Sequence, residues 1–195
     1  MHRYSNTTRE VAQEGRRGAL MISLDVRHPE VERFITIKND ETSVTGANIS
    51  IRLSDDFMQA VDDGDEEFTL RYPIDTDDPD AEVTVNPQEI WKAFIENTYN
   101  WAEPSGLFWD NIINESIPDC YADLGFKTVS TNPCGEIPLC EFDSCRLLLV
   151  NLFDFVGQPF TGESHFKWKE FEEAVQVAQR LMDDIVDLEL EQVDK

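Results

Sequence analysis

Strand-like and helix-like segments alternate along this chain, and most connections between successive strands are long enough to cross over. That pattern selects an α/β fold with a largely parallel sheet. Residues 18–25 (GALMISLD) read as a short, mostly buried strand. His28-Pro29-Glu30 then opens a helix, because Pro suits a first turn and Glu30 and Glu32 suit its positive end. Residues 46–53 alternate cleanly, with Ile49, Ile51 and Leu53 on one side and Asn48, Ser50 and Arg52 on the other. This is a strand with one core face and one wet or functional face. Ser54 is placed to cap a helix carrying Phe57, Met58 and Val61 that stops near Gly64. Phe68 to Tyr72 reads as another short strand, and Asn86-Pro87 caps a helix running to about Trp101. Leu107 to Ile113 reads as strand, and the segment from Asn114 to Leu139 as loop. Leu147 to Phe153 (LLLVNLF) reads as a strong buried strand. Apolar residues from Trp168 through Phe171, Val175, Ala178 and Met182 to Leu188 then recur at three- and four-residue steps, the mark of a helix. The chain starts shortly before a buried strand and stops in charged helix, so residues 1–195 read as a single partial domain cut from a larger fold.

Composition narrows the function classes. Apolar residues make up 41% of the 195, enough for a packed core. The longest purely apolar stretches, such as Leu147–Val150, fall far short of the roughly 20 residues of a membrane helix. The first residues carry no apolar secretory segment, so the reading is cytoplasmic. Sixteen Lys and Arg face 40 Asp and Glu, a net charge of −24, which argues against nucleic acid or an anionic membrane as partner. Four cysteines without a secretory leader read as thiols. The acid concentrates at Asp62–Glu67 and Asp75–Glu82, and neither stretch has calcium-loop spacing, so both read as solvated turns. Arg (10) outnumbers Lys (6), and an acidic, Lys-poor surface suits high salt, where counterions screen self-repulsion. The unfolding midpoint is therefore expected to rise from dilute buffer to molar KCl, and no rise would remove that reading.

The chemistry concentrates in residues 128–152, TVSTNPCGEIPLCEFDSCRLLLVNL. Asn132, Cys134 and Glu136 occupy alternate positions, so an extended backbone would project all three to one side. Pro133 biases Asn132 away from helix, and Gly135 frees the backbone beside Cys134. Cys145 follows eleven positions after Cys134. Buried structural thiols are the bland reading. Zinc is a second reading, but Cys134, Cys140 and Cys145 lack paired spacing, and His28 and His165 lie far off in sequence. A nucleophilic cysteine is a third, but it needs a partner that lowers its pKa, and a neighbouring Glu raises it. A thiol beside a carboxylate is better suited to staying protonated and giving up a hydrogen atom, which points to radical chemistry.

The run NPCGEIPL…SCRLLLVNL resembles the active-site region of ribonucleotide reductase catalytic subunits. RRGALMISLDVRHPEVERFITIKN, GANISIRLSDDFMQAV, SGLFWDNI and FVGQPFT with the long helix ending QRLMDDIVDLELE follow in family order. The spacing from Cys134 to Cys145 is similar to that of the adenosylcobalamin-dependent (class II) branch. The resemblance implies a ten-stranded α/β barrel, of which this chain is an internal fragment from roughly the first half, with the radical cysteine on a finger loop. It implies Cys134 as the thiyl radical that removes hydrogen from C3′ of a ribonucleotide, and Glu136 as general base on the 3′-hydroxyl. Asn132 matches the amide that binds substrate, and Cys145 one member of the reducing dithiol. Gly18 falls near a strand lining the substrate cleft. The implied cofactor is adenosylcobalamin, with no resident metal. The implied partners are the ribonucleotide, the remaining barrel half and a thioredoxin- or glutaredoxin-type reductant. The product is a deoxyribonucleotide for DNA synthesis. The family's other reducing cysteine lies upstream, and here no cysteine precedes Cys120. The isolated chain is therefore expected to be inactive. A class I fragment, served by a metal-radical subunit, and a non-catalytic remnant or interaction module are the alternatives.

Overall fold

The computed structural model describes residues 1–13 and 15–193, so Asp194 and Lys195 of the charged C-terminal end lie outside the described residues. The chain divides into two compact units, Met1–Asp143 and Ser144–Lys195. The first opens with helix α1 (His2–Glu10) and a short hairpin of β1 (Ala12–Gln13) and β2 (Arg16–Arg17). Strand β3 (Met21–Asp25), helix α2 (Val31–Ile35) and strand β4 (Asn48–Leu53) form a parallel crossover, with Met21 opposite Asn48 and Asp25 opposite Arg52. Helix α3 (Asp55–Asp63), an antiparallel hairpin of β5 (Phe68–Tyr72) and β6 (Ala81–Val85), and helix α4 (Pro87–Trp101) then lead to β7 (Ser105–Phe108). Strand β7 lies parallel to β4, giving the order β3-β4-β7 with β4 in the middle.

Strand β4 organises the core. Ile49 and Ile51 are fully buried and Leu53 is 2% exposed, packed in one cluster with Phe34, Phe57 and Ile90. Each such side chain contributes about 1.5–3 kcal/mol by leaving water. The alternation in the sequence thus marks the core face of this strand, although Ser50 on the other face is buried as well. The Asn86 side chain accepts the Gln88 N–H at 2.8 Å with Pro87 at the first helical position, and so starts α4. Ser54 occupies the N-cap position of α3, but its hydroxyl is buried without a partner among the described residues. Asp110 accepts the Asp55 N–H at 2.7 Å instead, so a carboxylate from another element caps this helix. Gly46 lets α1 come close: a Cβ there would stand 2.2 Å from the Ser5 carbonyl oxygen, and the Gly46 N–H donates to Ser5 Oγ at 2.8 Å.

Three expectations are corrected. Leu107 to Ile113 is not one strand: β7 ends at Phe108, and Trp109–Glu115 is helix α5. The helical turn lets Asp110 reach the end of α3 and Trp109 reach Arg52, gains that a short apolar run does not advertise. Residues 81–85, part of the acidic stretch, form β6 because they pair with β5 along its whole length. Leu147 to Phe153 is not a buried strand. In the second unit it is irregular up to a 3-10 turn at Leu152–Phe155, with Leu147 69% and Leu149 89% exposed. A strand needs a neighbour to take its N–H and C=O groups, and none pairs with this segment among the described residues.

The first unit ends with the segment carrying the cysteine motif, in which β8 (Ser130–Thr131) pairs antiparallel with β9 (Pro138–Leu139). The second unit holds the small hairpin of β10 (Val156–Gly157) and β11 (His165–Phe166) and the long helix α6 (Trp168–Val193). Phe155, Phe166 and Phe171 meet edge-on or tilted, with centroids 5.3–6.2 Å apart, and hold the start of α6 to the hairpin. The expected apolar stripe is only partly covered: Phe171, Ala178 and Met182 are half-buried, whereas Trp168, Val175 and Leu188 are exposed. No helix of the described residues is long and apolar enough to cross a membrane.

Candidate active site

The sequence Asn132-Pro133-Cys134-Gly135 has the residues that a tight turn favours: Asn first, Pro second and Gly fourth. It closes as such a turn, with the Gly135 N–H donating to the Asn132 carbonyl at 3.0 Å and Gly135 at φ +89°. This corrects the extended reading of the loop. Asn132 is buried, whereas Cys134 and Glu136 are exposed, so the three do not share a face by simple alternation. Asn132 instead builds the hairpin. Its Oδ1 accepts the Ile137 N–H at 3.0 Å and its own N–H donates to the Ile137 carbonyl at 3.1 Å. The side-chain NH2 is left as the group able to donate elsewhere.

The turn sits at a cleft of about 390 Å³ in the first unit. Gly18, Ala19, Lys38, Asn48, Glu103 and Cys134 are among the residues lining it. Gly18 and Cys134 are therefore brought to one cavity. A Cβ on Gly18 would stand 2.9 Å from the Thr8 carbonyl oxygen, so only glycine lets α1 approach this wall. Lys38 makes an ion pair with Glu103, both about four-fifths buried, and donates to the Ala47 carbonyl at 2.6 Å. The pair places one charge of each sign on the cleft wall. Cys145 belongs to the second unit, where it is half-buried, and the next residue, Arg146, is ion-paired to Glu189 of α6.

Strand β4 holds the hairpin from below. Asn48 Nδ2 donates to the Pro133 carbonyl at 2.9 Å, and Arg52 donates through Nη2 to the Val129 carbonyl at 2.6 Å. Arg52 is itself fixed by Ser23 Oγ, 2.9 Å from Nε, and lies over the Trp109 ring at 4.1 Å. Burial lowers the pKa of the Arg52 guanidinium, and Asp25 opposes that shift; a guanidinium starts so high that it stays charged at neutral pH. Neither Asn48 nor Arg52 was singled out from the motif. The signal that could have found them was the polar face opposite Ile49, Ile51 and Leu53.

Asp119 braces the approach to the hairpin. It accepts from the Thr128 N–H at 3.1 Å and from the Thr128 and Ser116 hydroxyls, each at 2.5 Å. Burial pushes this carboxyl up, but the Ser116 and Thr128 donors outweigh it and hold its pKa below the usual carboxylate range. A depressed folded-state pKa stabilises the fold at pH values above the unfolded-state value and loses that stabilisation as pH falls through the folded one. Asp119→Asn is therefore expected to lower stability at pH 7 by about 1 kcal/mol, a figure kept small by solvent access. The difference should shrink as pH falls past the ordinary carboxylate range and through the lower folded-state value. Urea midpoints at pH 7 and pH 3 measure both. Burial, then Asp143 and Asp119, push the Cys140 thiol up, which favours its protonated, unreactive form. Among the described residues, no group of three His, Cys, Asp or Glu converges as a metal-holding cluster.

A family model described as "Ribonucleotide reductase, barrel domain" matches residues 1–195. The chain is 32% identical over 188 residues to the vitamin B12-dependent ribonucleoside-diphosphate reductase of Thermoplasma acidophilum, covering 93% of this chain and 22% of that protein. It is 30% identical over 187 residues to the protein of the same name from Mycobacterium tuberculosis, covering 95% of this chain and 25% of that one. A putative ribonucleoside-diphosphate reductase large subunit of Frog virus 3 is 26% identical over 189 residues, with 84% of this chain and 33% of that protein covered. The chain thus spans about a quarter of the length of the first two relatives.

Proposed function

Since the chain belongs to the ribonucleotide reductase family through its barrel domain, we propose that it supplies the radical-cysteine segment of an adenosylcobalamin-dependent ribonucleotide reductase. In this reading, residues 1–195 are a single partial domain from the first half of a ten-stranded barrel, and the 129–139 hairpin is its finger loop. The observation that carries the proposal is the exposed thiol of Cys134 at the tip of a tight turn, on a cleft that Gly18 also lines. Asn132 and Glu136 flank it in sequence.

The chemistry follows from these side chains. Cys134, as a thiyl radical, forms its S–H bond as the C3′–H bond of the ribose breaks. The Glu136 carboxylate accepts the 3′-hydroxyl proton, which makes loss of the 2′-hydroxyl as water easier. Asn132 donates through its amide NH2 to the substrate and orients the ribose. Cys145 and a second thiol from elsewhere in the complete polypeptide give up two electrons and two protons and become a disulfide. Cys134 then returns its hydrogen atom to C3′ and is regenerated as the radical. A thioredoxin- or glutaredoxin-type dithiol reduces the disulfide, and the remaining barrel half supplies the phosphate-binding loops. The exposed thiol fits a bulky radical source, which needs an uncovered approach, and Cys134 is the residue that would face it. When bound, adenosylcobalamin supplies the radical that takes the thiol hydrogen.

The relatives from Thermoplasma and Mycobacterium carry vitamin B12 in their names, whereas the Frog virus 3 name does not. The second reading is therefore a class I reductase served by a metal-radical subunit. The complete polypeptide is expected to reduce ribonucleotides with added adenosylcobalamin and a dithiol, and with no second protein. Activity that appears only with a separate metal-bearing subunit would move it to class I. Nucleotide binding without turnover under both conditions would leave a non-catalytic remnant.

A further inference from the structure

We propose that Asn48 and Arg52 are positioning residues that hold the Cys134 hairpin in place from the polar face of β4. The inference rests on the reading of Cys134 as the reacting thiol. The two side chains are four residues apart on one strand, so they stand on the same face. They grip the hairpin at two points: Asn48 at the Pro133 carbonyl, next to the cysteine, and Arg52 at the Val129 carbonyl, at the base.

The hairpin needs such a grip. Its hydrogen bonds through Asn132, Gly135 and Ile137 close it on itself and do not tie it to the sheet. Strands β8 and β9 are two residues long, too short to fix an orientation by pairing. Among the described residues, the Asn48 and Arg52 bonds join the hairpin to the sheet.

The support beneath them is stiff. Strand β4 is paired on both sides, and its opposite face buries Ile49, Ile51 and Leu53 in the core. Sliding or turning the strand would pull those side chains into water. Ser23 and Trp109 fix Arg52 in turn. The position of the thiol is thus referred to the best-packed strand of the unit. Hydrogen transfer requires the reacting atoms to be aligned at near contact, and a misplacement of about 1 Å costs on the order of a hundredfold in rate.

The test uses the complete polypeptide. Asn48→Asp is isosteric but sets an acceptor against the Pro133 carbonyl. It is expected to lower kcat by roughly 30- to 100-fold, with substrate KM within about twofold. Amide exchange at Asn132, Gly135 and Ile137 should quicken about five- to tenfold, while exchange along β4 stays unchanged. Asn48→Gln keeps the NH2 donor on a side chain that is exposed in the native structure, and should recover kcat to within about tenfold. Arg52→Lys keeps the charge but loses the fork that reaches both Ser23 and Val129, and should quicken exchange at the hairpin base. Three outcomes would overturn the proposal: unchanged hairpin exchange in Asn48→Asp, faster hairpin exchange with unchanged kcat, or faster exchange along β4 as well. An active Cys134→Ser enzyme would overturn the proposed chemistry and leave the exchange result standing, so the two failures are distinguishable.

Discussion

Replacing Cys134 with serine is expected to abolish ribonucleotide reduction in the complete polypeptide while nucleotide affinity stays within about threefold. The substitution is nearly isosteric, and the turn depends on main-chain atoms: the Gly135 N–H still donates to the Asn132 carbonyl. The side chain is exposed, so no cavity opens and no packing is lost. What changes, under the proposed chemistry, is the bond that must break in every turnover. A hydroxyl holds its hydrogen more strongly than a thiol does, and a barrier raised by about 5.5 kcal/mol already reduces the rate ten-thousandfold. Cys140→Ser is the matched control. Its thiol is pushed toward the protonated form by burial and by Asp143 and Asp119, and it has no part in the proposed transfer. Turnover and equilibrium nucleotide binding should be measured on both variants. An inactive Cys140→Ser beside an active Cys134→Ser would show that the motif has been read in the wrong register.

How far the sequence carries this picture depends on whether a feature is local. The alternation of Ile49, Ile51 and Leu53 with polar partners is a two-residue period that only a half-buried strand satisfies, and β4 is that strand. The cap at Asn86-Pro87 is equally local and starts α4. The turn at Asn132–Gly135 was written in the same chemistry, with Asn, Pro and Gly at the positions a tight turn selects. Alternate spacing of Asn132, Cys134 and Glu136 suggested an extended backbone, and the turn prevails because Gly135 takes a positive φ and the Asn132 carbonyl accepts its N–H. Features that depend on distant partners were not legible. Asp110 serves as the cap of α3 only because α5 lies beside that helix, which no window around Ser54 contains. Asn48 and Arg52 are visible as a polar face, but their hydrogen bonds to Pro133 and Val129 cross 85 and 77 positions. LLLVNLF has the composition of a buried strand, but composition does not supply the neighbour that would make it one.

The 195 residues expressed by themselves are expected to reduce no ribonucleotide, even with adenosylcobalamin and a dithiol present. Each turnover consumes two electrons. Under the proposed chemistry Cys134 cannot supply them, because it must return as the radical, and Cys145 is a single thiol. Under the family reading the second reducing thiol and the phosphate-binding loops lie in other parts of a polypeptide about four times as long as this chain. The chain also leaves surfaces without partners among the described residues. Strands β3 and β7 each pair on one side only among the described residues, so each presents an open row of N–H and C=O groups. In the second unit Leu147, Leu149, Phe153, Trp168 and Leu188 are all more than half exposed, a pattern suited to burial against further chain. The net charge of −24 opposes self-association in dilute buffer, and salt screens that repulsion. Sedimentation is therefore expected to show larger species as KCl is raised, unless a polypeptide carrying the remaining barrel strands is added. That partner should suppress the association and restore turnover. A soluble, active monomer of 195 residues would overturn the two-thiol mechanism together with the assignment of this segment to part of a larger barrel.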